Sequence, residues 1–224
     1  MCGRFTLTVD AEQLVFSFGL NGIPTDWRPR YNIAPTQPIL GLRDAETRRA
    51  EWFRWGLIPS WAKDPAIGNR LINARAETLD EKPAFRSAFA SRRCLILADG
   101  FYEWQASEGK RSFSRPYLFR LKDSTPFAFA GLWDVWRNES GEAIFSCTII
   151  TCPANDLVKQ IHDRMPVILD RMQCWAWLET RGLSELKALL RPYPAEDMMA
   201  YPVERAVNNP AVDSPICIQP AEKV

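Results

Sequence analysis

Cysteine stands at position 2, directly behind Met1, and no other residue here has sharper chemical potential. Methionine is normally trimmed when a small residue follows it, which leaves Cys2 with both an α-amine and a thiol. The amine titrates at about 7.7 to 8.0 and the thiol at about 8.5, so both nucleophilic forms exist around neutrality. An aldehyde meeting this 1,2-aminothiol condenses with the amine to an imine, and the adjacent thiolate then closes a thiazolidine ring. Closure is intramolecular, has a large effective molarity, and gives a product that outlives an ordinary Schiff base. By position alone Cys2 also fits an ordinary second residue or the nucleophile of an N-terminal-nucleophile hydrolase. Lipidation lacks support, because MCGRFTLTVD contains neither a signal-peptide apolar region nor a myristoylation pattern.

Other residues with chemical capacity are sparse. His162 is the only histidine, and the six cysteines (2, 94, 147, 152, 174, 217) lie far apart, without CxxC pairs. A zinc site and a disulfide framework are both disfavoured by this spacing, and no metal or organic cofactor is implied. Cys94 and Cys147 sit in apolar runs and read as buried small hydrophobes of a reducing compartment. Taken singly, Asn73 reads as a loop residue capping a turn, Glu103 as a strand residue between aromatics, and His162 as a packing residue.

The elements that must position these groups are short. Seventeen prolines preclude long helices over most of the chain, and no repeat or linker-like tract divides its 224 residues, so one domain spanning 1–224 is expected. Strands are expected at Arg4 to Thr8, Ile39 to Arg43, Ala50 to Trp55, Arg93 to Ala98, Phe101 to Gln105, Tyr117 to Leu121, Ala128 to Trp133, Ala143 to Thr151, Pro166 to Leu169 and Met199 to Val203. Asp10 with Gln13 starts a helix through Phe18 that Gly19 stops. Further helices are expected at Pro83 to Ala90, Ala154 to Gln160, Arg171 to Thr180 and Ser184 to Leu190. Strands outnumber helices and do not alternate with them, which predicts an α+β class with a mostly antiparallel, curved or barrel-like sheet and short peripheral helices.

A net charge of +1 excludes a global basic field, so any nucleic-acid site must be local. Arginine makes up 21 of the 28 basic residues, which suits a concentrated phosphate-binding cleft. Nine Trp and twelve Phe exceed what a core of this size needs, leaving rings for either a groove or an unusually aromatic interior. No run of eighteen apolar residues offers a membrane span, and the cytosol is the expected compartment.

Six ordered blocks carry a resemblance: MCGRF at the start, YNIAPT (31–36), WGLIPSW (55–61), INARAET (72–78), ADGFYEW (98–104) and IHDRMP (161–166). In this order, with Cys2 immediately after Met1, they resemble the SOS response-associated peptidase (SRAP) family over essentially the whole chain. The resemblance implies that Cys2 bonds ring-opened abasic deoxyribose in single-stranded DNA, including at junctions with duplex. By the same resemblance Asn73 lies beside the new bond, Glu103 moves protons in imine formation and in removal of Met1, and His162 assists sugar ring opening. Arg4, Arg75 and Arg164 match phosphate contacts, and Pro35 with Trp61 matches an apolar wedge on which bases stack. Many members carry a second aromatic after the position of Trp61, where this chain has Ala62. Two rivals stay open: a peptidase using Cys2 with its own amine as base and Asn73 in an oxyanion hole, and a non-catalytic single-strand-binding module.

Overall fold

A computed structural model describes residues 2–106 and 115–221. Its strands are β1 (Phe5–Leu7), β2 (Arg30–Ile33), β3 (Pro38–Leu42), β4 (Glu51–Trp55), β5 (Asn73–Arg75), β6 (Arg93–Ala98), β7 (Gly100–Gln105), β8 (Arg115–Leu121), β9 (Phe127–Arg137), β10 (Ala143–Pro153), β11 (Arg164–Pro166), β12 (Ile168–Leu169) and β13 (Met198–Pro202). Its α-helices are α1 (Ala11–Phe18), α2 (Arg86–Ser91), α3 (Arg171–Glu179) and α4 (Leu183–Leu189).

Five strands close on themselves. β10 pairs with β4, β4 with β3, β3 with β6, β6 with β9, and β9 returns to β10, with only the β10–β4 pairing parallel. Closure removes the exposed strand edges that an open sheet would carry. Every residue of β6 is buried, since one face lines the barrel and the other is covered by α2 and α3. That double cover explains why RCLILA reads as a continuous apolar run and not as an alternation. Helix α1 begins as expected, with the Asp10 carboxylate accepting the Gln13 amide, and ends at Gly19 in the left-handed region.

A second, wholly antiparallel sheet has the order β13-β8-β7-β1-β2. It joins the barrel through the Phe5 ring, which packs edge-on against Trp55 and Phe129 at 5.2 and 5.7 Å. Beyond β13 the chain runs as a strap through two 3-10 turns, Arg205–Asn208 and Pro215–Ile218, closing a small apolar cluster of Tyr102, Leu118, Val203, Val207 and Cys217. The strap is fastened by Asp213, which accepts the Tyr31 and Asn32 amides at 2.6 and 2.9 Å and pairs with Arg30.

The α+β class and the mostly antiparallel, barrel-like sheet expected from the sequence are what the chain forms. Three local expectations need correction. Ala154 to Gln160 contains only a 3-10 turn at Val158–Gln160, Pro166 to Leu169 is two strands and not one, and Asn73 lies in β5 and not in a loop. Strand β2 was not anticipated by strand propensity.

Candidate active site

Cys2 precedes β1, and β1 is pinned by one buried carboxylate. Asp99, between β6 and β7, accepts the Thr6 hydroxyl at 2.6 Å and the Thr8 amide at 2.7 Å, and meets Arg120 at 3.1 Å. The strand behind Cys2 is therefore fixed to the corner from which Glu103 departs. Cys2 is fully buried, its Sγ lying 3.9 Å from the Arg4 carbonyl. Burial, and next the negative charge of Glu103, push its thiol well above the usual range, so the sulfur is protonated at rest and needs a neighbouring base to react.

Asn73 reaches Cys2 from the barrel side. Parallel pairing of β5 with β10 sets its backbone, and Nδ2 donates to the Cys2 carbonyl at 2.8 Å. That carbonyl accepts only, which fixes the amide's orientation. Its Oδ1 is buried and has no partner among the described residues, leaving an acceptor beside the nucleophile.

Glu103 comes from β7, opposite Tyr117 of β8, and is 3% exposed. Burial pushes its carboxyl up to about 7, although the positive amino terminus of the chain pulls the other way. Near neutrality it therefore holds and releases a proton, as a general acid–base group must. His162 follows the 3-10 turn at Val158–Gln160. Its pKa is lowered by burial and next by the same amino-terminal charge. Nδ1 accepts the Arg164 amide at 3.0 Å, so the neutral ring carries its proton on Nε2. The Asp163 carboxylate lies 3.0 Å from the same nitrogen and becomes an ion-pair partner only if that nitrogen is protonated. The resting ring is thus neutral and presents its Nε2 proton as a donor, a narrower role than the acid-or-base capacity its ordinary pKa suggests.

The four residues expected at the chemistry converge. Asn73 hydrogen-bonds Cys2, the charge of Glu103 acts on the Cys2 thiol, and the amino terminus, here still that of Met1, acts on both Glu103 and His162.

The residues expected at phosphates differ in availability. Arg75 is exposed at the end of β5. Arg164 forks onto Glu77 at 2.5 and 3.0 Å, while Nη2 also reaches the Thr151 carbonyl at 2.7 Å. A phosphate at Arg164 must compete with a carboxylate already in place. Arg4 is half-buried, with Nη1 held by Asn32 Oδ1 at 2.7 Å and the Val207 carbonyl at 2.8 Å. Thr151, which Arg164 contacts, is fully buried.

The wedge residues sit on braced turns. Pro35 is half-buried next to Thr36, whose φ is +71°, and Gln37 Oε1 closes the turn by accepting from Ala34 and Arg30. Trp61 is 60% exposed on a loop tied down by Ser146, Asp134 and Trp136, which bond Ile58, Ser60 and Ala62 at 2.8, 3.0 and 2.7 Å. Ala62 is buried, with the half-buried Trp136 indole donating to its carbonyl, so a ring from β9 lies beside the position where many family members have a second aromatic. Sequence reasoning named no role for Asn32 or Glu77, although both lie inside the resembling blocks, where their polarity among apolar neighbours was the available signal.

Comparisons with known proteins identify the family and match the fold. A model of the family described as SOS response associated peptidase (SRAP) matches residues 1–210. The chain is similar to the abasic site processing protein YoqW of Bacillus subtilis, 46% identical across 98% of this chain and 99% of that protein. It is also similar to the abasic site processing protein HMCES of Rattus norvegicus, 32% identical across 99% of this chain and 76% of that protein. A crystal structure of a Bacteroides thetaiotaomicron protein superposes with a TM-score of 0.88 at 26% identity, covering 99% of this chain and 100% of that one. By the family match over residues 1–210, almost its whole length, this chain belongs to the SOS response associated peptidase (SRAP) family.

Proposed function

We propose that this protein processes abasic sites in DNA by bonding covalently to them through Cys2 after Met1 has been removed. Support for the substrate comes from the relatives named abasic site processing proteins. Support for the chemistry comes from one observation above all: the fully buried Cys2 is held through its carbonyl by Asn73, and its thiol lies in the field of Glu103, whose own carboxyl is pushed up to about 7.

The steps balance as follows. The Cys2 amine adds to the aldehyde carbon of ring-opened deoxyribose, and the carbinolamine loses its hydroxyl as water when Glu103 supplies a proton, leaving an imine once the nitrogen has returned a proton to the Glu103 carboxylate. The thiol then adds across the C=N bond, its proton passing by way of Glu103 to the ring nitrogen, and the thiazolidine closes. His162, with its lone pair held by the Arg164 amide and its proton on Nε2, assists opening of the sugar hemiacetal. The buried Asn73 oxygen orients the attacking amine by accepting from it. An oxyanion hole needs donors, so the acceptor that Asn73 leaves unsatisfied favours this role over the peptidase reading. Reversal follows the same path and is slow, because the thiol must leave before water can reach the imine. Single-stranded DNA, alone or beside duplex, is the fitting partner, held by Arg4, Arg75 and Arg164 and stacked on Pro35 and Trp61.

The test is incubation of the mature protein with an oligonucleotide bearing one abasic site, followed by denaturing electrophoresis. A heat-resistant shifted band is expected, absent in Cys2→Ala and in protein that retains Met1. His162→Ala should form the band more slowly at near-normal affinity. Turnover of peptides in trans without that band would overturn the proposal in favour of a peptidase.

A further inference from the structure

Asn32 is fully buried, yet nearly all of its hydrogen-bonding capacity is directed at two things: Arg4 and the C-terminal strap. Its Nδ2 faces three carbonyls of the strap, those of Val207, Asn209 and Val212, at 3.2, 3.0 and 2.7 Å. Its backbone amide donates to Asp213, which also belongs to the strap. The one remaining atom, Oδ1, accepts from Arg4 Nη1 at 2.7 Å, and the same Nη1 donates to the Val207 carbonyl. Only a primary amide places donors on one side and an acceptor on the other. A carboxylate of the same shape would face three carbonyls with no proton to offer them.

Arg4 is therefore held by one corner of its guanidinium. Nη1 is fixed by two acceptors and the plane rests near the Trp104 ring at 5.8 Å, while Nη2 makes no hydrogen bond among the described residues. A rigid fork with one nitrogen anchored aims the other in a defined direction. That direction matters because Arg4 is two residues from Cys2, whose Sγ lies against the Arg4 carbonyl.

We propose that Asn32 is a positioning residue which aims Arg4 at the DNA phosphate next to the reacting sugar, and that the strap over residues 203–218 takes part in DNA capture through it. The inference rests on the covalent-capture reading above. Asn32 has no exposed surface with which to touch DNA itself, so its effect passes through Arg4.

The test compares wild type, Arg4→Ala, Asn32→Ala and the double variant for initial crosslinking rate against concentration of a short abasic oligonucleotide, with melting temperature measured alongside. Asn32→Ala should raise the half-saturating DNA concentration by roughly tenfold while the limiting rate stays within about twofold. It should add little on top of Arg4→Ala, since both act on one contact. Arg4→Lys leaves the Asn32–strap bonds in place and keeps the charge, so it covers the case in which Asn32→Ala fails to fold. It should lose most of what Arg4→Ala loses, because an ammonium cannot bridge two acceptors and present a second nitrogen in a fixed direction. Wild-type behaviour of Arg4→Lys, or additive effects of the two alanine variants, would overturn the positioning role and leave covalent capture standing. Absence of a wild-type crosslink would overturn both.

Discussion

Glu103 combines a nearly complete loss of solvent with a carboxyl that has a task. Its ordinary pKa near 4.5 rises to about 7 in the folded protein, chiefly because burial penalises the anion. The folded state thus binds this proton more tightly than the unfolded state does. Stability tied to it is fully present below the unfolded value and is lost as pH rises through about 7. Glu103→Gln should accordingly stabilise the protein by about 1 to 3 kcal/mol at pH 8, with the gain vanishing near pH 4, in urea titrations at the two pH values. The same variant should abolish crosslinking, and the wild-type rate should fall as pH drops below about 7, where a protonated Glu103 can no longer take the thiol proton during ring closure. A destabilised Glu103→Gln at pH 8 would mean that the carboxylate is stabilised by contacts and not held against its solvation preference.

At the scale of elements, the loop from Gly56 to Ala62 shows how an exposed ring is kept in place. Gly56 has φ of +124°, and a Cβ there would lie 2.4 Å from the Gly68 carbonyl, so the turn needs glycine for both conformation and room. Asp134, buried and bonded to the Ser60 amide and to Arg92, then fixes the loop from beneath. Trp61→Ala should leave stability within about 0.5 kcal/mol but weaken single-strand binding by about 1 to 3 kcal/mol, measured by fluorescence anisotropy. Asp134→Ala should do the reverse in emphasis, costing about 1 to 3 kcal/mol of stability by stranding the buried Arg92 Nε and freeing the Ser60 amide. Long apolar strands and capped helices such as α1 and α3 were legible in the sequence because each carries its own periodicity or cap. Strands β2 and β5 were not, since both are short and polar and exist only through partners far along the chain. The helix expected from Ala154 is prevented by Asn155, whose Oδ1 caps Val158 while Nδ2 bonds the Tyr193 carbonyl, holding the run to one tight turn. The run from Met165 to Leu169 divides because Met165 pairs with β10 whereas Ile168 pairs with β9. Within the site, residue identities were readable, but the occupation of Arg164 by Glu77 and of Arg4 by Asn32 was not, since both depend on contacts across the fold.

For the whole molecule, the closed ring of strands leaves little slack. Gly41 on β3 would, with a Cβ, meet the Leu95 carbonyl at 2.7 Å and the Phe53 ring at 3.0 Å. Gly41→Ala should therefore cost about 1 to 3 kcal/mol in chemical denaturation, because neither backbone nor ring can retreat within a packed barrel. β10 unites the assembly: it pairs with β9, β4, β5 and β11, and so ties the strand of Asn73 to the strand of Arg164 through one continuous backbone. A mould cast in one piece cannot open to admit its substrate. Under the proposed capture of abasic DNA the flexing falls to the nucleic acid, so limp, unpaired tracts should enter readily and a stiff intact double helix should be turned away, whatever lesion it carries.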